Sequence, residues 1–331
     1  MANYRVGEMI RLARLASGMT QEELCENICS VETLSRIENG KHRVKRDVYR
    51  KFMERMGRMT EKTYAVCVSE DMELIEERAY FEDAMRKHDY IKADAYMKSI
   101  RKKAGTSVLT RQYVRRENAF LEFYQKKISA EELVDILEEL AQEVIPGYEK
   151  YLNSEEIYPF MEQELILLKR LSVAYSLKKE REKSIQICEM LLRTLDKEYI
   201  VETDEIKISI LGNLTKYYGE IRNHQKAIEI GLNNSKLARK YDDGSVLTFS
   251  LVELAWDMIK EIEEGLREKE YLKECRKYLK KAYYLASARN DSEAEIISDF
   301  YNCYFHEAIE PMVYGLVKGD GSSSSGSSET V

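Results

Sequence analysis

The chain has 331 residues, 44% hydrophobic and 34% charged, enough to bury a sizeable core and closer to two domains than one at ordinary domain sizes. Only three prolines and fifteen glycines interrupt long stretches of Glu, Lys, Leu, Ile, Ala and Tyr with helical rather than alternating periodicity, so the expected fold class is all-α. The net charge of −7 would by itself argue against a nucleic-acid binder, yet residues 1–60 hold twelve Lys and Arg against eight Asp and Glu, while the remainder carries the acidic excess.

That basic end is the candidate phosphate-binding end. There is no charged-then-apolar leader, and the apolar run Leu165 to Leu168 is cut by Lys169 and Arg170, so a cytoplasmic protein without membrane contact is expected. The six cysteines, at 25, 29, 67, 188, 275 and 303, form no CxxC pair and suggest neither a zinc site nor a disulfide framework. No GxxxxGK, GxSxG, HExxH or GxGxxG element occurs, and histidines 42, 88, 224 and 306 lack ligand spacing. The expectation is a non-enzyme without cofactor or metal.

Val6, Met9, Ile10, Leu12, Ala13 and Ala16 form one helical stripe that Ser17-Gly18 stops. Thr20 with Glu23 three residues later makes a capping box for a short second helix whose buried face is Leu24 and Ile28. Ser30 caps a third helix from Val31 to Glu38, closed by Asn39-Gly40, which tolerate positive φ. Two short helices joined by a tight turn meet the geometry of a helix-turn-helix. Leu34 and Ile37 take the core side of the third helix, leaving Glu32, Thr33, Ser35 and Arg36 toward a DNA groove. Arg36 suits guanine, Thr33 a thymine methyl, and Glu32 a cytosine amino group. Ser30 at the cap belongs to the same candidate surface, and Lys41, His42 and Arg43 follow the helix toward the DNA backbone.

The stretch MTQEELCENICSVETLSRIENGK resembles the Cro/repressor (Xre) type of helix-turn-helix over about residues 4–60, although ENICS replaces the usual glycine-containing turn and leaves it one residue short. The resemblance implies that Gln21, leading the second helix, contacts phosphate.

Beyond RMTEKTYAVCVSEDME, helical periodicity resumes. Segments 73–88 and 90–104, 108–127 and 130–144, 155–179 and 182–197, 204–220 and 223–240, and 246–268 and 270–289 read as antiparallel pairs, with a final helix at 292–309. The stretch ISILGNLTKYYGEIRNHQKAIEIGLNNSKLA, with Leu214, Tyr218, Gly219 and Ala227, resembles a tetratricopeptide repeat, although Tyr175 and Tyr218 lie farther apart than the usual period. The expected division is a helix-turn-helix domain at 1–60, a linker at 61–72, a repeat domain for sensing and dimerisation at 73–317, and a Gly/Ser tail at 318–331.

A stack of helical hairpins offers an elongated groove lined by the first helix of each pair, suited to an extended peptide. Asn213, just before Leu214, sits where peptide-binding repeat proteins place an asparagine whose amide both donates and accepts. Arg170 precedes Leu171 equivalently, and Asn118, Lys216, Tyr217 and Trp256 are further rim candidates, although helical spacing favours a core position for Tyr217 and Trp256.

The architecture resembles the Rgg, PlcR and PrgX (RRNPP) class of peptide-pheromone-responsive regulators of Gram-positive bacteria and their phages. The resemblance implies a homodimer that binds an operator in double-stranded DNA and a short signalling peptide. Two alternatives stay open: a peptide-independent regulator whose repeats dimerise or recruit a protein, and a repeat scaffold without DNA binding.

Overall fold

The computed structural model describes residues 2–42, 44–56, 72–103, 108–155, 158, 160, 162–196, 204–289 and 293–310. Of the linker expected at 61–72, residues 61–71 lie outside the described residues, as do the tail at 318–331 and Arg43. Four helices come first: α1 (Ala2–Ala16), α2 (Gln21–Cys25), α3 (Val31–Glu38) and α4 (Arg46–Arg55). Eleven follow among the described residues: α5 (Met72–Arg86), α6 (Tyr90–Lys103), α7 (Val108–Tyr124), α8 (Ala130–Val144), α9 (Glu162–Leu177), α10 (Arg181–Leu195), α11 (Asp204–Glu220), α12 (His224–Lys240), α13 (Gly244–Glu263), α14 (Leu272–Ala288) and α15 (Glu293–Phe305). The protein is all-α, a helix-turn-helix bundle followed by helical hairpins.

Where the periodicity was ambiguous, local chemistry decides the boundaries. The helix expected from 155 begins instead at Glu162, after a 3-10 turn over Tyr148–Tyr151. Pro146 forces the preceding Ile145 out of helical geometry (φ −134°, ψ 71°), and Pro159 stands in the way of an earlier start. Likewise α13 stops at Glu263 rather than 268, because Gly265 adopts φ 75° and Leu266 donates its N–H back to the Glu261 carbonyl at 2.8 Å.

That same closure recurs through the hairpins without glycine. His88, Lys126, Lys179, Arg222 and Asp242 each hold positive φ, and the next residue's N–H reaches the carbonyl five residues back, as in Glu180 to Tyr175 and Asn223 to Tyr218, both at 2.9 Å. These are Schellman closures, and each places a side chain in the left-handed region, which costs roughly 1–2 kcal/mol in an L-residue.

From α5 to α15 each helix packs on the next, and α9, α11 and α13, the first helices of successive pairs, also touch one another. One large apolar cluster runs from Ala119 and Phe120 through Leu168, Leu171 and Leu191 to Leu214 and Ala227, and a second continues from Ile228 through Leu254 and Leu279 to Ile309. Close approach depends on missing side chains. A Cβ at Gly219 would lie 2.5 Å from Asp257 Oδ1, and one at Gly231 would meet Leu254 and Thr215 at 3.0 and 3.1 Å. A polar clamp also repeats between pairs: Lys183 sits 4.2 Å over the Tyr175 ring beside Glu138, and Lys226 sits 4.2 Å over Tyr218 beside Glu189. Each tyrosine hydroxyl donates to its glutamate, which comes from the second helix of the preceding pair.

Fully buried Asp257 lies 2.8 Å from His224 Nδ1 and joins α13 to α12. Burial, then Glu261, pushes the Asp257 carboxyl up to about 8, and burial pushes half-buried Glu253 on the same helix up to about 7. In the unfolded chain such carboxyls titrate near 4. The folded state therefore holds more protons than the unfolded one between about pH 4 and pH 8, and stability falls as pH rises through that window.

Two predictions follow from this packing. Arg222→Gly should stabilise the protein by about 1 kcal/mol in urea denaturation, since glycine removes the left-handed penalty while keeping the closure; a loss of stability would show that the Arg222 side chain matters more than its backbone. The melting temperature should fall between pH 5.5 and pH 8.5, and Asp257→Asn should flatten that fall, whereas an unchanged slope in the variant would mean that Asp257 is ionised throughout.

Candidate functional sites: a helix-turn-helix face and a groove

The N-terminal bundle closes on Ile10, Ala13, Leu24, Leu34, Ile37, Phe52 and Met53. Gly7 lets α1 approach α3, since a Cβ there would fall 1.9 Å from the Ile37 carbonyl oxygen. Thr20 and Glu23 form the expected capping box, with Thr20 N–H donating to Glu23 at 2.7 Å and Glu23 N–H to Thr20 Oγ1 at 3.1 Å. The turn into α3 is made by Asn27 at φ 55°, a residue type that tolerates the left-handed conformation where the common pattern has glycine. Ser30 Oγ then accepts from Thr33 N–H at 3.2 Å and caps α3.

Beneath this lies a buried charge network that the sequence reading had not singled out. Arg14 on α1 pairs with Glu38 on α3 through two bonds, Nε to Oε1 at 2.7 Å and Nη2 to Oε2 at 3.0 Å, and its Nη1 donates to the Met19 carbonyl at 2.9 Å. Gln21 completes it, with Nε2 donating to Glu38 Oε2 at 2.7 Å, so all three helices of the motif meet at one carboxylate. The hydrogen bonds that Arg14 donates to Glu38 raise its pKa further and keep the guanidinium charged. A signal was present: Arg14 follows Ala13 on the apolar stripe, and Glu38 follows Ile37.

The outer side of α3 is polar. Glu32 and Arg36 form an ion pair of 2.9 Å with side chains 77% and 62% exposed, and Lys41 and His42 beyond the helix are exposed. Thr33 and Ser35 are half-buried beside them, Thr33 Oγ1 lying 2.9 Å from Ser30 Oγ. The structure therefore gathers Ser30, Glu32, Thr33, Ser35 and Arg36 on one helix and its cap, with Gln21 tied to Glu38 at the edge. An exposed pair such as Glu32–Arg36 is worth little, so Arg36 is free to exchange its partner.

In the repeats, Asn213 lines an open pocket of about 240 Å³ between α11 and α13, with Ser209, Gly212, Val246 and Phe249, and with Glu293 from α15. The other candidates lie elsewhere. Arg170 donates to Glu117 at 2.7 Å and its guanidinium stands 5.0 Å from the Phe120 ring centre. Asn118 is half-buried on α7, and Lys216 is exposed on α11, its charge opposing the rise in the Glu253 pKa. Trp256 is half-buried against the His224 ring at 5.7 Å, with Lys260 Nζ at 5.5 Å from its ring centre. Tyr217 is a correction to the rim: only 2% exposed, it belongs to the large apolar cluster, and its hydroxyl is engaged by Ser172 and Ser176. It lies one turn of helix from Asn213 and so on the same side of α11, where packing against Ser172 and Ser176 of α9 covers it.

Residues 5–63 match a family model described as a helix-turn-helix domain. No curated protein matches the sequence. Among solved structures, PlcR of Bacillus thuringiensis, in complex with the peptide PapR7 and DNA, is similar with a TM-score of 0.56 and 16% identity over 89% of this chain and 99% of that one. A putative transcriptional regulator from Listeria monocytogenes gives 0.47 and 15% over 92% and 99%. The apo form of the competence regulator ComR from Streptococcus vestibularis gives 0.46 and 14% over 92% and 98%. The likeness to PlcR is one of fold across both the bundle and the hairpins. No helix among the described residues is long and apolar enough to cross a membrane, and no cluster of His, Cys, Asp and Glu there is arranged to hold a metal.

Removing Glu38 leaves the Arg14 charge buried without its partner. Glu38→Ala should cost about 3–5 kcal/mol, read in the full chain as faster amide exchange across residues 31–38, while Arg14→Met with Glu38→Leu should recover most of the loss. Equal exchange in wild type and Glu38→Ala would mean that the apolar cluster alone holds α3.

Proposed function

We propose that the protein is a sequence-specific DNA-binding transcription regulator gated by a short peptide that binds in the groove of its helical hairpins. The observation that carries the first half is the polar outer row of α3, mounted on a matched helix-turn-helix domain within the basic end of the chain. Arg36, Thr33 and Glu32 are the base-reading residues, Ser35 and Ser30 flank them, and Lys41, His42 and Arg43 meet the phosphates. Gln21 contributes a phosphate contact through its backbone amide at the start of α2 while its side chain stays on Glu38.

The second half rests on the pocket beside Asn213 within a row of first helices that touch one another. An extended peptide laid across α9, α11 and α13 exchanges backbone hydrogen bonds with the Asn213 amide and buries an apolar side chain against Val246 and Phe249. Arg170, Lys216, Trp256 and Asn118 contribute at greater distance along the same array. PlcR, which shares the fold, is described with a peptide and DNA, and the same two ligand classes are proposed for this chain. A homodimer would present two α3 helices to half-sites about one DNA turn apart, roughly 34–36 Å. Peptide acts by binding more tightly to one spacing of these heads than to the other.

The test is binding of the purified protein to DNA from the neighbourhood of its own gene, across a salt series, with and without synthetic peptides encoded by nearby short reading frames. Arg36→Ala should weaken specific binding by about 1–3 kcal/mol without changing the salt slope, and Asn213→Ala should blunt the peptide effect while leaving apo binding intact. Specific binding that no peptide alters would leave the repeats as a dimerisation or recruitment platform, and no DNA binding at low salt would defeat both regulator readings.

A further inference from the structure

Lys169 is the residue whose chemistry the groove does not yet explain. It interrupts the apolar run of α9, and its Nζ donates to Ser209 Oγ on α11 at 3.1 Å. No carboxylate among the described residues stands within ion-pair distance of it. Its surroundings are otherwise cationic. Arg116 Nε and Arg170 Nη2 converge on buried Glu117 at 2.8 and 2.7 Å, so three cations share one carboxylate, and that carboxylate is already taken by the two guanidiniums. Burial works against the Glu117 carboxylate, but Arg170 and Arg116 hold its carboxyl below the usual range. Burial of its amine end, then Arg170, depresses the ammonium of half-buried Lys169 to about 8, with the Glu117 carboxylate opposing the shift.

The donor inventory is specific. An ammonium has three N–H donors and one is used on Ser209. Ser209 accepts that bond, which leaves its own O–H to donate, and Ser209 lines the pocket that holds Asn213. Two ammonium protons and one hydroxyl proton are thus left without a hydrogen-bond acceptor among the described residues, at the edge of a pocket whose lining also carries Asn213 and Glu293.

We infer that Lys169 and Ser209 form a carboxylate-binding site at the edge of the Asn213 pocket, and that the peptide bound there delivers the carboxylate, from its C-terminus or from an Asp or Glu side chain. The identity of the occupant rests on the peptide-gated reading above. A carboxylate supplies the missing counter-ion, and its two oxygens take the ammonium and the hydroxyl together. Peptides without a carboxylate at that point would leave the half-buried ammonium without a counter-ion, so the site sorts peptides by charge as well as shape.

The closing experiment has two arms on the full chain. In the first, lysine labelled with 13C at Cε is followed by NMR during titration with sodium propionate against sodium chloride at equal ionic strength, with the Lys169 signal assigned by its loss in Lys169→Met. Propionate, and not chloride, should shift that signal and raise its titration midpoint by about one pH unit. Identical responses to the two salts would overturn the site.

In the second arm, short synthetic peptides from the reading frames near the gene are offered as free acids, as C-terminal amides, and with Asp and Glu replaced by Asn and Gln. One of the two neutralised sets should lose about tenfold in retention on wild type, identifying the source of the carboxylate, and Lys169→Met should erase the difference. Equal retention of all three sets by wild type would overturn the peptide carboxylate while leaving peptide binding in place. If no set is retained but propionate still acts, peptide gating fails and the carboxylate site stands.

Discussion

A pair of antiparallel helices buries only one of its apolar sides, and from α5 onward the other side is closed by the next pair along the chain. Leu171, Leu191, Leu214 and Ala227 belong to one cluster although they come from four helices, because each helix is both the second wall of one hairpin and the first wall of the next contact. The array therefore gains most of its stability from nearest neighbours. It also explains where the small residues fall. Gly219 and Gly231 sit where the backbone of one helix must pass close to Asp257 or Leu254 of another, and any larger residue would push a pair off its neighbour.

Stacking leaves the first helices α9, α11 and α13 side by side, so polar groups on their shared side accumulate into a surface rather than a point. Asn213 and Ser209 stand one turn apart on α11, and Lys169 of α9 reaches Ser209 only because the pairs stack. The second helices do different work: Lys183 and Lys226 reach back over Tyr175 and Tyr218, and the glutamates they share come from the preceding pair. The fastening thus joins second helices to Tyr175 and Tyr218 on the first helices α9 and α11, the same helices that carry Lys169, Ser209 and Asn213.

Much of this was legible in residue order. The capping box at Thr20, the cap at Ser30 and the 3.6-residue periodicity from 73 onward are local signals, and local chemistry places them correctly. The start of α9 falls later than residue 155 because apolar periodicity runs on through a segment that contains Pro159, a residue that breaks a helix interior. Side-chain pairing was less legible. Gln21 appears free for phosphate in the sequence, and only the meeting of α1, α2 and α3 shows its amide held by Glu38. Tyr217 and Asn213 stand on the same helix at a spacing that a sequence alone cannot assign to core or groove, and packing sends the first inward.

The two buried charge groups are instructive because they solve the same problem differently. Glu38 receives Arg14 through two bonds and Gln21 through a third, so its acceptor capacity is spent within the motif and the group fixes three helices in one geometry. Glu117 likewise receives Arg116 and Arg170, but the cluster around it carries Lys169 as well, and that ammonium has only a hydroxyl for company. A methionine in its place would pack on the same apolar helix without the partial desolvation of an ammonium. In the helix-turn-helix a satisfied charge group fixes three helices in one geometry; at Lys169 the charge is left short of a partner, and on the proposed reading a bound anion would relieve it.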